Sequence, residues 1–319
     1  MTNTEVATED ETGPVVVQRS SASLTFRRLM RDPASLTAFL FIVFLFAFAL
    51  LAPSVAEWTG HGPIDQYRDI AMSPVGLPVG PNGEFLFGAD QLGRDILVRI
   101  AYGARVSLLV GVIASIAAAT IGVTIGMTAG YFGGWLDTVL GRFMDLVMSV
   151  PFLLCALALV SVFGASLLLS VSVIVFFTWT PIGRVIRAET ASLARRDFVQ
   201  ASRSLGASHS SILLRDILPN LSVPIIIYST MMIPNAIVFE ATLSFLGMGI
   251  APPTPSWGGM LAEAGANSMY LVAWWMVFFP GMALLGATLA FNILGDGLRD
   301  ALDPAGRRIA KHAMAKAKG

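Results

Sequence analysis

Residues 146 to 183 contain no charged side chain, a run of 38 residues that ends only at Arg184. As a single helix rising about 1.5 Å per residue it would reach about 57 Å, close to twice the roughly 30 Å of a bilayer's hydrocarbon core. The chain must therefore turn inside the run, and "FGAS" at 163–166 supplies the turn. Burial in a water-soluble core is not an alternative. With 319 residues, 55% hydrophobic, 13% charged and a mean hydropathy of +0.71, the chain has too little polar surface to cover a globule of its size. The fold class is an all-α polytopic membrane protein.

Counting uncharged runs in the same way gives six spans, at about 34–56, 106–130, 146–163, 167–186, 222–246 and 271–294. The first is too long for a signal-peptide core and reads as a retained anchor. Residues 1–25, acidic and Ser/Thr-rich, read as a disordered tail, and 306–319 as a basic one, leaving 26–305 as the six-helix domain. Basic residues fix the orientation, because 17 of the 21 lie before span one, between spans two and three, between four and five, or after six. Both termini and the loop 187–221 are thus expected in the cytoplasm, and the loop 57–105 outside.

Several functions are disfavoured. Formal net charge is zero, so nothing suggests nucleic acid. One cysteine, Cys155, and three separated histidines, His61, His209 and His312, offer no metal or disulfide framework. The methionines, Met144, Met148, Met231, Met232 and Met276 among them, read as packing residues. A secondary transporter predicts midplane charges and paired broken helices, and an intramembrane hydrolase a buried nucleophile and base; neither pattern is evident.

The polar stretch "RRDFVQASRSLGASHSSILLRDILPN" (195–220) separates two apolar blocks. In it Phe198, Ala201, Ser202 and Leu205 fall on one helical face. Gly206 ends that helix, Ser208 caps a second one carrying Ile212, Leu213 and Ile217, and Pro219 is expected to stop it before span five. Periodicity fits two uses, a helix resting among lipid headgroups and a helix docking to a protein.

The order of residues bears on that choice. Gln200, Ala201, Ser202, Gly206, Leu218 and Pro219 stand at the spacing of the EAA loop, and the segment resembles that loop of bacterial ABC importer membrane subunits. Gln200 replaces the family's glutamate and Asp216 its isoleucine. "FGADQLGRDILVRIAYGARVSLLVG" (87–111) and "EATLSFLGMGIAPPTPSWGGML" (240–261) look like segments of one branch, the second permeases of dipeptide, oligopeptide and nickel importers. The resemblance implies a type I ABC importer transmembrane fold in the bacterial inner membrane, forming half of a translocation path. It also implies a homologous second permease, two cytosolic ATPases carrying ATP and Mg, and an external substrate-binding protein. The coupling contacts would be Phe198, Gln200, Ala201, Ser202, Leu205, Gly206, Leu218 and Pro219. The chain itself lacks a Gly-x-x-x-x-Gly-Lys-Ser/Thr loop, so it is expected to be a non-enzymatic subunit without a cofactor or metal. Peptides are the expected substrate, with nickel or another small solute as the alternative.

Four positions invite closer reading. Residues 91–105 form an interfacial helix on the outside, where Asp90, Arg94 and Asp95 either contact the external binding protein or cap and pair internally. Trp257 is expected at the membrane interface. Glu240, the one carboxylate deep in a span, either lines the path or bonds a neighbouring helix. Asp145 reads as a cap of span three.

Overall fold

The structure is a computed structural model that describes residues 29–302; both expected tails, 1–25 and 306–319, lie outside the described residues. Twelve helices follow one another among these residues: α1 Pro33–Leu50, α2 Ala52–Thr59, α3 Arg68–Ala71, α4 Ile96–Phe132, α5 Gly134–Ser149, α6 Phe152–Phe163, α7 Leu167–Leu193, α8 Asp197–Ser204, α9 His209–Ser211, α10 Ser222–Phe245, α11 Trp257–Gly265 and α12 Trp275–Leu302. A π-turn, Ile212–Ile217, and a 3-10 turn, Leu218–Leu221, join α9 to α10 in one helical rod. Five helices are long and apolar enough to cross a membrane, and the pair α5 and α6, bent by 80°, makes a sixth if it counts as one span.

Charges proved poor markers of helix ends. The second span begins at Ile96 rather than 106, so the expected separate helix at 91–105 is instead the first turns of a 37-residue α4. Asp95 is its cap, accepting the Leu97 and Val98 amides at 2.8 and 3.3 Å. Arg99 and Arg105 do not interrupt it because both find partners, Glu263 for Arg99 and the Ala49 and Leu50 carbonyls for Arg105. The fourth span likewise runs past Arg184 and Arg187 to Leu193, each arginine holding a carboxylate of α5.

Prolines account for other departures. Pro151 drives Val150 into an extended conformation, which splits the expected span 146–163 into α5 and α6. Asp145 then falls in the last turn of α5, where it pairs with Arg184 and caps nothing. Pro53 restarts the first span as α2. Pro219 does not stop the rod, since the turn changes from π to 3-10 around it and the Asn220 side-chain amide donates to the Asp216 carbonyl at 2.6 Å. The sixth span begins at Trp275, after a 3-10 turn over Ala266–Leu271. "FGAS" does turn the chain, through Gly164 at φ 79° and a Ser166 cap.

Packing sets two layers of contact. Ser35, Ala38, Ile42, Leu45 and Ala49 form a buried stripe along α1, which packs against α4 and α12, and its apolar members join one core cluster with Leu108, Ile237, Trp257 and Phe291. The tightest pair is α4 with α7. A Cβ on Gly122 would stand 2.5 Å from Ile182 Cγ2 and 2.6 Å from the Trp179 carbonyl, and one on Gly126 would stand 2.5 Å from the Gly183 carbonyl. Gly130 continues the series against the Arg187 carbonyl. Three glycines at i, i+4 and i+8 thus let two backbones touch, the small-residue packing favoured where lipid offers no hydrophobic drive.

Candidate functional site

Three places collect the residues that the sequence singles out. At the basic end, α8 is held from beneath by Val199, which is fully buried with Ile212, Ile217, Ile186 and Met127. Gln200 donates its amide to the Ala194 carbonyl at 3.2 Å. The expected face points outward, with Phe198 43% and Leu205 87% exposed, and with Ala201 exposed between them. Gly206 closes α8 at φ 78°, where a side chain would be strained. Ser208 accepts the Ser211 amide at 3.3 Å, as a cap should. Leu218 is half-buried and Pro219 exposed on the following turn. A firmly seated unit therefore presents an uncovered apolar edge.

At the opposite end, Asp90, Arg94 and Asp95 are buried and engaged within the chain. Asp90 accepts the Leu92 and Arg94 amides at 2.9 and 3.0 Å and Arg94 Nε at 2.6 Å. Arg94 and Arg99 converge on Glu263 of α11, at 2.7 Å for Arg94 and at 2.9 and 3.0 Å for Arg99. Asp95, besides capping α4, meets His61 Nδ1 at 2.7 Å, and the imidazole stacks on Phe85. The geometry is that of capping and internal pairing, with no face of these three side chains turned to a partner. His61, Arg99 and Glu263 were not predicted as members, because 169 residues of sequence separate Arg94 from Glu263 and no local pattern links them.

Glu240 is also fully buried. It accepts Ser107 Oγ of α4 at 2.9 Å and Ser244 Oγ at 2.7 Å, and Ser107 Oγ in turn receives the Trp257 amide at 3.4 Å. The carboxylate is a clasp between helices and does not line open space. Trp257 is not interfacial either: it is fully buried, its indole N–H donating to the Ile100 carbonyl at 3.2 Å and its ring filling the space beside Gly103. Ser107→Ala should lower stability by about 1–3 kcal/mol by leaving a buried carboxylate oxygen short of a donor, read as the thermal midpoint in detergent. A midpoint equal to that of the unaltered protein would remove the clasp.

Next to Glu240, Phe239 faces the other way, onto a groove of about 670 Å³ between the α5–α6 bend, α7 and α10. Phe152, Phe177, Met148, Met231 and Met232 share its wall with Thr178, Tyr228 and Asn235, and no acid or base does. Met144 and Met276 are buried in the core and Met232 packs against it from the groove wall, while Met148 is exposed. Among the described residues no group of three or more His, Cys, Asp and Glu side chains could hold a metal.

Residues 122–308 match the family described as binding-protein-dependent transport system inner membrane component, and 20–74 match the N-terminal TM domain of oligopeptide transport permease C. The chain is 40% identical over 281 residues to the oligopeptide transport system permease protein OppC of Escherichia coli K12, covering 88% of this chain and 90% of that one. It is 37% identical over 291 residues to the di/tripeptide transport system permease protein DppC of Pseudomonas aeruginosa, covering 91% and 94%. With the glutathione transport system permease protein GsiD of Shigella flexneri it shares 41% over 279 residues, covering 88% and 89%. Among solved structures, an inward-facing MetNI methionine ABC transporter chain aligns with a TM-score of 0.52 at 14% identity, over 64% of this chain and 96% of that one, a likeness of fold.

Proposed function

The chain belongs to the family of binding-protein-dependent transport system inner membrane components, and from that premise we propose that it imports short peptides by coupling α8 to cytosolic ATPases. It is a permease subunit of an ABC importer and is not itself an enzyme. In this reading the termini and the 187–221 loop are cytoplasmic, as the arginine distribution favours. A homologous second permease completes the path, two ATPases bind ATP and Mg, and an external binding protein delivers substrate. The uncharged groove, with thioethers and aromatic rings for side chains and hydroxyl and amide groups for a peptide backbone, suits substrates of varied sequence. It offers nickel no carboxylate or imidazole.

The observation that carries the coupling is the 87% exposure of Leu205 on a unit whose other side is buried. Gln200 stays exposed but carries no charge, and its amide is engaged with the Ala194 carbonyl, so the contact rests on shape and apolar area. A leucine buried in such a contact contributes about 1.5–3 kcal/mol, hence about 10- to 150-fold in association. Leu205→Glu should therefore copurify with its ATPases at least about tenfold less well and fail to take up labelled tripeptide, while remaining folded. Unchanged copurification and uptake would sink the coupling. Growth of a deletion strain on peptides as sole nitrogen source, compared with nickel-dependent growth, tests the substrate.

A further inference from the structure

The start of α5, the end of α7 and α8 enclose a cavity of about 750 Å³ at the basic end. Four guanidinium groups, Arg184, Arg187, Arg195 and Arg203, stand on its wall with two carboxylates, Asp137 and Asp145. Both carboxylates are taken. Asp137 accepts Arg187 Nε at 2.5 Å and Nη2 at 2.8 Å, and Asp145 is held by Arg184. Arg203 instead lies 4.8 Å from the ring centre of Tyr131, whose hydroxyl is engaged with His209 at 2.8 Å. Arg195 has no side-chain partner among the described residues. Two positive charges in one cavity are left without a counter-ion.

Guanidinium forks match phosphate oxygens, so the missing ligand is a phosphate-bearing anion. Its source is indicated by two exposed rings next in sequence to the lining residues Tyr131, Gly133 and Gly134. Phe132, 50% exposed, packs edge-on to Tyr131, and Trp135, 76% exposed, follows Gly134. Exposed aromatic rings beside arginines mark the level of lipid headgroups. We propose that the cavity binds the phosphodiester of an anionic phospholipid, with Arg195 and Arg203 as its ligands and Phe132 and Trp135 against its glycerol and upper acyl chain. A zwitterionic lipid brings its own ammonium group toward the same arginines and is disfavoured. Because Arg195 follows α7 and Arg203 belongs to α8, one lipid ties the docking element to the membrane helix before it. The cytoplasmic leaflet follows from the orientation proposed above; the site itself does not depend on it.

The test uses the full chain, with whatever subunits copurify, in nanodiscs of equal phosphatidylglycerol and phosphatidylcholine, counting retained lipid by native mass spectrometry. Phosphatidylglycerol should be retained in preference. The Arg195→Gln, Arg203→Gln double variant should lose the preference by about fivefold for each arginine, the corresponding lysine double variant should keep most of it, and Arg196→Gln, outside the cavity wall, should keep all of it. Radiolabelled inorganic phosphate bound in phosphatidylcholine discs without any phosphatidylglycerol preference would overturn the lipid assignment. A glutamine variant that keeps its lipid, or that loses ATPase subunits while keeping its lipid, would overturn the site and make the cavity a protein-docking surface. Preference for phosphatidylglycerol in a protein that imports no peptide would leave the site standing and count against the transport reading alone.

Discussion

Glu263→Ala lowers stability by about 3–5 kcal/mol, the cost of leaving buried guanidinium groups without the half-buried carboxylate that pairs them. Arg94 and Arg99 are 3% and 2% exposed and both donate to this one carboxylate, so its removal leaves two guanidinium groups sharing Asp90. Glu263 also joins α11 to the start of α4, and its loss should loosen the 60–95 segment held by His61 and Asp95. Thermal unfolding in detergent and limited proteolysis of that segment read the two effects. Pairing Glu263→Ala with Arg99→Met should recover part of the loss, because the uncompensated charge goes with the arginine. A change below about 1 kcal/mol, the range of an exposed ion pair, would mean that the cluster is solvated.

The second large effect is expected at Gly126→Ala. The added Cβ stands 2.5 Å from the Gly183 carbonyl, an atom of backbone that no rotamer change can move aside. The helices must separate, at a cost of about 3 kcal/mol where overpacking cannot relax. Gly281→Ala is the matched control, since its Cβ meets nothing nearer than Leu261 at 4.0 Å and helix propensity favours alanine. Equal unfolding midpoints for the two variants would show that α4 and α7 do not rely on close backbone approach.

Much of the helical layout was legible because hydrophobic length is nearly all that a bilayer demands, and the Gly164 turn, the Gly206 ending and the Ser208 cap follow from local chemistry. What misled was the use of charge as a boundary. Arg99, Arg105, Arg184 and Arg187 lie inside helices because partners from α1, α5 and α11 neutralise or accept them, and those partners are distant in sequence. Proline does not end the helical rod at 219, where the turn changes from π to 3-10 around it, but breaks the chain at 151, where Val150 is extended. The face of α8 was readable from its spacing, but not which way it points; Val199 decides that through contacts with Ile212 and Ile217. The glycines at 122, 126 and 130 repeat at a spacing of four, a pattern of close helix packing that is independent of where the charges lie.

Those glycines also limit how the molecule moves. With carbonyls of α7 seated where side chains of α4 would be, a slide of one residue, about 1.5 Å along the axis, would bring a bulkier neighbour against the same backbone. The two helices therefore travel as one body. If α8 docks as proposed, a push delivered there reaches α7 first through the short 194–196 link and carries α4 with it, together with the Ser107 end of the Glu240 clasp. Whatever deformation an access cycle requires is left to other parts, among them the 80° elbow between α5 and α6.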